Sequence, residues 1–285
     1  KKNAKKFISI VNPIKAIFIK YEFWFNYMAE LNKKNIAFYS VSSIFRMEQY
    51  FFKYDWAANQ LNNVSIFFVQ DKNSKELLQN IGFTNCTVAG DTRFDSVIAN
   101  TQKTVSIPLI EEFSKNKTTI ICGSTWPRDE ALLAKYIKEN PNYNYIIAPH
   151  EILRISVLQK QTNALLFSKA DNTNINNSNV LIIDSIGILS NVYKYGDLAY
   201  IGGGFGSGIH NILEAATFGL PLVFGPNYQK FKEANELIEL GGAKSISNYS
   251  ELEITILSFT NFNKSIAKNY IKSNAGATDI IISSI

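Results

Sequence analysis

The run Ala199-Tyr200-Ile201-Gly202-Gly203-Gly204-Phe205-Gly206-Ser207-Gly208-Ile209-His210-Asn211-Ile212-Leu213-Glu214 decides the fold class, because an apolar strand passes through five glycines into a segment of helical pattern. Residues without a Cβ let backbone N–H groups approach an anion closely at the positive end of a helix. Gly203, Gly204 and Gly208, with His210, are therefore the predicted phosphate cradle. The spacing departs from the dinucleotide fingerprint G-x-G-x-x-G, and no second strand tipped by Asp or Glu follows at the distance that motif requires. A bare turn is the competing reading of such a cluster. Glu214 stands one helical turn past His210, where a carboxylate accepts hydrogen bonds from a vicinal ribose diol. Read without a ligand, Glu214 is a solvated helix residue and His210 a helix N-cap.

Outward from this run, short β-branched segments alternate with stretches of helical period, the pattern of a parallel sheet covered by helices. Strands are predicted at 16–19, 37–41, 66–69, 87–89, 119–122, 145–148, 180–183, 198–201 and 222–224, and helices at 23–31, 74–79, 128–138, 185–195, 211–218 and 231–239. In open α/β sheets ligands bind beyond the C-terminal ends of the strands. Three further strand ends carry polar or glycine-containing segments: Ala148-Pro149-His150-Glu151, Asp184-Ser185-Ile186-Gly187-Ile188, and Gly123-Ser124-Thr125-Trp126. Singly each reads equally well as a capped helix. Together with the glycine run they predict one cleft, with Ser124 and Thr125 on its wall.

The polar stretch Gln102 to Lys117, with Pro108, separates two runs of βα pattern and is the expected linker between domains at 1–101 and 118–285. Residues 171–179 read as an exposed loop, and the tail from Asn261 to Ile285 has helical stretches able to pack on either domain. A basic stub leads almost directly into the first strand, so an N-terminal part of the first domain is expected to be missing.

With 285 residues, 46% of them hydrophobic, the chain can bury a full core. Its net charge is +5, and Lys1, Lys2, Lys5 and Lys6 crowd the start. Such a cluster is either a frayed, solvated terminus or a contact for an anionic membrane surface or acidic substrate. Cys86 and Cys122, the only cysteines, lie in apolar strand-like settings and indicate a reducing compartment. Without a CxxC motif, and with His150 and His210 the only histidines, a zinc site is not expected. No cofactor or nucleic-acid partner is expected either. No segment approaches the ~20 apolar residues of a membrane span, and no signal peptide is apparent.

In the first domain, Ile19-Lys20-Tyr21-Glu22-Phe23-Trp24 ends a strand with a carboxylate among aromatics, where desolvation would suit an acid or base. A rim glutamate paired with Lys20 is the plainer reading. Arg46 and Arg93 are candidate bidentate clamps for a phosphate or carboxylate, or else surface ion pairs.

The segments Lys20-Tyr21-Glu22-Phe23-Trp24, Ser42-Ser43-Ile44-Phe45-Arg46, Gly90-Asp91-Thr92-Arg93-Phe94-Asp95, Gly123-Ser124-Thr125-Trp126, Ala148-Pro149-His150-Glu151, Gly202-Gly203-Gly204 through Glu214, and Phe224-Gly225-Pro226-Asn227 with Phe231, taken in order, resemble 3-deoxy-D-manno-octulosonic acid (Kdo) transferases, and most of all the Bacteroidetes-type members. The resemblance implies an α/β GT-B fold, two Rossmann-like domains facing a cleft, with the N-terminal one incomplete. It implies inverting transfer of Kdo from CMP-Kdo onto lipid IVA, in lipid A biosynthesis, at the cytoplasmic face of the inner membrane. The CMP contacts it implies are Pro149, His150, Ile186, Gly187, Ile188, Asn211, Ile212, Leu213 and Glu214. The family commonly has Pro-Arg-His where this chain has Pro149-His150, so a histidine replaces an arginine. The family's catalytic base lies in a Gly-Glu motif of the first βα unit, before the position of Glu22, and this chain shows neither that motif nor an anchor helix. Glu22 matches a second acidic residue of the family and is the supporting carboxylate. A truncated, non-catalytic nucleotide-sugar binding module and another GT-B enzyme using a UDP-sugar are the alternatives.

Overall fold

A computed structural model describes residues 1–259 and 262–285 and resolves two compact units, residues 1–96 with 274–285, and residues 97–273. No helix among the described residues is long and apolar enough to cross a membrane.

The first unit is a four-stranded parallel sheet of β1 (Lys15–Ile19), β2 (Ala37–Ser43), β3 (Ile66–Val69) and β4 (Cys86–Val88), in the order β1-β2-β3-β4. Adjacent strand residues face opposite sides of a sheet. Phe67 and Phe68 are nonetheless both fully buried, because one packs with Met28, Leu31, Phe38 and Phe45 and the other with Val41, Ala89 and Ile281. Covering both faces is what a parallel sheet requires. The lysine-rich start is a helix, Lys2–Val11, not the frayed stub of the plainer reading. Its Ala4 and Ile8 stand four apart on one face and are buried, which holds the lysines outward.

The second unit is a seven-stranded sheet of β5 (Thr119–Thr125), β6 (Asn144–Pro149), β7 (Leu165–Leu166), β8 (Val180–Ile182), β9 (Leu198–Ile201), β10 (Leu222–Phe224) and β11 (Ala243–Ser245). All its pairings are parallel, and the order is β11-β10-β9-β5-β6-β8-β7. The chain runs outward from β5 on one side and from β9 on the other. The crevice beyond the C-terminal ends of β5 and β9 is therefore the switch point at which such sheets bind ligands. Tyr145, Tyr200, Cys122 and Ile147 fill the core beneath it.

The stretch expected as a linker departs from that reading. Residues 108–114 form a helix, Pro108–Ser114, with Pro108 in its first turn, where no N–H is needed. Ile110 and Phe113 of this helix are buried, and the Asn144 side chain donates to the Phe113 carbonyl at 2.6 Å. The division falls at residue 97, inside the helix Thr92–Gln102. The expected tail begins at Asn261, outside the described residues; its last twelve residues join the first unit. There Asp95 accepts the N–H groups of Gly276 and Thr278 and the Thr278 hydroxyl, at 2.5, 2.7 and 2.8 Å.

Candidate functional site

At the end of β9 the glycine run packs three strand ends together. A Cβ on Gly202 would lie 2.1 Å from the Ser124 carbonyl oxygen, and one on Gly204 would lie 2.6 Å from the Gly225 nitrogen. Gly203 has φ +91°, a conformation side-chain-bearing residues rarely adopt. These glycines thus let β5, β9 and β10 converge. The helix expected over 211–218 is only Leu213–Thr217, and it starts well past the run. The Gly203 N–H is donated to Asp129 at 2.9 Å, the Gly202 N–H to the Gly123 carbonyl and the Gly206 N–H to the Gly203 carbonyl. This corrects the role expected of Gly203, whose donor is committed inside the protein.

Asp129 was not legible as a site residue, yet it organises the crevice. It sits in the first turn of the helix Pro127–Glu139 and is fully buried. One oxygen accepts the N–H groups of Trp126 and Gly203, both at 2.9 Å; the other accepts the Tyr200 hydroxyl at 2.7 Å. The sequence signal was a capping-box spacing, Trp126-x-x-Asp129, which closes the helix start.

The Trp126 ring stacks on His150, with centroids 4.5 Å apart and planes 20° apart. His210 lies 4.5 Å from His150, and its Nε2 accepts a hydrogen bond from Trp126 Nε1 at 2.8 Å. Thus the chain's two histidines, 60 residues apart in sequence, meet on one indole. Burial, and then the nearby charge of His150, hold the His210 pKa below its ordinary value, against the opposing pull of Asp129. Ser124 occupies the left-handed region at φ 53°, a strain that side chains usually carry only where the surroundings enforce it.

The expected contacts distribute over three hollows of the second unit. One of 440 Å³ is lined by Trp126, Arg128, Gly203, Gly208 and His210. A second, of 600 Å³, is lined by Ser124, Pro149, His150, Ile186 and Gly187. The third, of 270 Å³, holds Glu214 with Ser190, Asn191 and Lys103. Thr125 is fully buried, so it does not line the wall as expected. Ile212 and Leu213 are likewise buried, which leaves only their backbone to meet a ligand. Asn211 turns its amide to Glu214 at 3.1 Å and accepts the Leu213 N–H at 3.2 Å. Burial raises the Glu214 pKa, and the Asn211 bond offsets that only in part.

In the first unit Glu22 is exposed rather than enclosed by its aromatic neighbours, which corrects the desolvation expected there. Arg46 is exposed, with its guanidinium 6.0 Å from the Tyr21 ring centre. Arg93 is bound to buried Asp91 through Nε at 2.9 Å and a terminal nitrogen at 2.8 Å, and Lys20 approaches the same carboxylate at 3.6 Å. Of the two expected clamps, Arg93 is thus already engaged by a carboxylate.

Residues 1–96 match the family described as 3-deoxy-D-manno-octulosonic-acid transferase (kdotransferase). Over 95% of its length the chain is 26% identical to the 3-deoxy-D-manno-octulosonic acid transferase of Rickettsia typhi, of which it covers 61%. Over 94% of its length it is 23% identical to a bifunctional glycosyltransferase/methyltransferase of Fusobacterium nucleatum, of which it covers 47%. The chain therefore spans only 47% to 61% of the length of these relatives. Among solved structures, the UDP-GlcNAc 2-epimerase from Neisseria meningitidis, bound to UDP-GlcNAc, aligns with 99% of this chain and 78% of its own. The TM-score is 0.66 at 14% identity, a likeness of fold alone.

Proposed function

On the premise that the chain belongs to the Kdo transferase family and has the GT-B fold of glycosyltransferases, we propose that its second unit holds the cytidine monophosphate part of a CMP-Kdo donor. The observation that carries this reading is the hollow beyond the ends of β5, β6 and β8, which gathers Ser124, Pro149 with His150, and Ile186 with Gly187, while Glu214 lines a separate hollow with Ser190 and Asn191. Glu214, partly buried and steered by Asn211, accepts the ribose hydroxyls. Gly204, Gly208, His150 and His210 flank the phosphate.

The first unit receives the acceptor, lipid IVA, whose phosphates suit the exposed Arg46. In inverting transfer the acceptor hydroxyl attacks the anomeric carbon of Kdo, the bond to CMP breaks, and CMP leaves with the electron pair. A carboxylate within about 3 Å takes the hydroxyl proton. Glu22, exposed at the end of β1, is the supporting carboxylate in this reading. The lysine face of the helix Lys2–Val11 meets anionic lipid at the cytoplasmic side of the inner membrane. The reading assigns no cofactor besides the donor.

Incubation with CMP-Kdo and lipid IVA, followed by assay of free CMP, tests transfer. Release of CMP that depends on lipid IVA is expected, and no turnover alongside measurable CMP binding would refute transfer by this chain while leaving the donor site standing. The fold likeness to a UDP-sugar epimerase gives a second reading, a UDP-sugar enzyme, which nucleotide preference separates from the first.

A further inference from the structure

We propose that Trp126 is a positioning residue that fixes His210 as its Nδ1–H tautomer, so that the imidazole presents one fixed N–H donor to an anionic group of the ligand. An indole nitrogen can only donate. Trp126 Nε1 lies 2.8 Å from His210 Nε2, so that nitrogen is the acceptor and the ring proton resides on Nδ1. The planes of the two rings differ by only 11° with centroids 6.2 Å apart, an arrangement compatible with an edge-to-edge bond from the indole N–H to the imidazole lone pair. Free histidine prefers the opposite tautomer, so the indole acts against an intrinsic bias.

The arrangement is anchored from below. The same Asp129 oxygen takes the N–H of Trp126 and the N–H of Gly203, so the segments bearing both rings hang from one buried carboxylate. A second proton on His210 would set two donors against each other at Nε2. His150, 4.5 Å away, opposes that charge as well, and burial adds to both. The charged groups around the pair are Asp129, which favours the charged ring, Arg128 beside it in the same hollow, and Glu151 next to His150. A neutral donor of fixed direction keeps its role over a range of pH. The identity of the anion as the donor phosphate rests on the function proposed above; the tautomer does not.

Two-bond ¹H–¹⁵N correlation spectra of the whole chain test this, since it has two histidines and His150→Asn assigns them by subtraction. The wild type at mildly alkaline pH is expected to show His210 protonated at Nδ1 and bare at Nε2. Trp126→Phe, which keeps an aromatic stack and removes the donor, should return His210 to Nε2–H, raise its titration midpoint and weaken CMP binding about fivefold, the scale of one lost hydrogen bond. His210 protonated at Nε2 in the wild type overturns the proposal whether or not the variant folds. An unchanged tautomer and midpoint in a folded Trp126→Phe overturns it equally. The expected tautomer in a wild type that binds no CMP would uphold the role of Trp126 and refute the donor site instead.

Discussion

The Asp129 carboxylate accepts the Gly203 N–H at 2.9 Å while wholly shielded from solvent. The turn after β9 is thus held by a side chain from the helix after β5, and the same side chain caps that helix. Asp129→Asn removes the charge and replaces one of two accepting oxygens by a donor: either the Trp126 and Gly203 N–H groups lose their shared acceptor, or the Tyr200 hydroxyl must turn to accept and leave its own proton unbonded. A loss of about 2–4 kcal/mol is expected, since hydrogen bonds to charged groups are worth more than neutral ones and a buried orphan adds its desolvation. Urea titration with an unchanged slope would register it as a lower midpoint.

The glycines of the run differ sharply in what they tolerate. Gly202→Ala sets a methyl 2.1 Å from a backbone carbonyl that cannot retreat without moving β5, and about 3 kcal/mol or more is expected to be lost. Gly206→Ala meets its nearest neighbour, the Gly203 carbonyl, at 3.4 Å, so a change within about 0.5 kcal/mol is expected. Thermal unfolding of the pair checks the contrast.

Glu130 is buried, bound to Arg154 at 2.8 Å through one oxygen, and its other oxygen has no hydrogen-bond partner among the described residues. Burial raises its pKa despite the arginine. Arg154→Met removes the compensating charge and should cost about 3 kcal/mol, whereas Glu130→Leu combined with Arg154→Met should recover most of that loss. A double-mutant cycle in urea decides between these outcomes.

Burial likewise raises the Glu214 pKa above its ordinary 4.5. Between that value and the raised one the folded chain binds more protons than the unfolded chain, so the contribution of Glu214 to stability falls as pH rises through the window. Glu214→Gln should therefore be more stable than wild type near neutral pH, with the difference vanishing below 4.5, where both states are protonated. Unfolding midpoints across that range provide the check.

All nine predicted strands form, because β-branched runs such as Thr119–Cys122 and Leu198–Ile201 announce themselves locally. The two strands not foreseen, Leu165–Leu166 and Ala243–Ser245, are two and three residues long at the sheet edges, too short to show alternation. The helix after the glycine run was overextended because Asn211 and Ile212 continue its pattern, although Ile212 is only the cap of Leu213–Thr217. The strand ends pointed to one cleft, whereas the expected residues line three hollows. The Asp129 clamp and the stacking of His150 on Trp126 were not legible, since both join residues that are far apart in the chain or whose types have many other uses.

Equilibrium binding of CMP and UDP to the wild type and to Glu214→Ala, measured by titration calorimetry, tests the donor site most directly. The proposed site predicts that CMP binds more tightly than UDP and that Glu214→Ala weakens CMP at least about tenfold, the loss expected for hydrogen bonds to a charged group. Tighter binding of UDP, or CMP affinity untouched by removal of the Glu214 carboxylate, would contradict it.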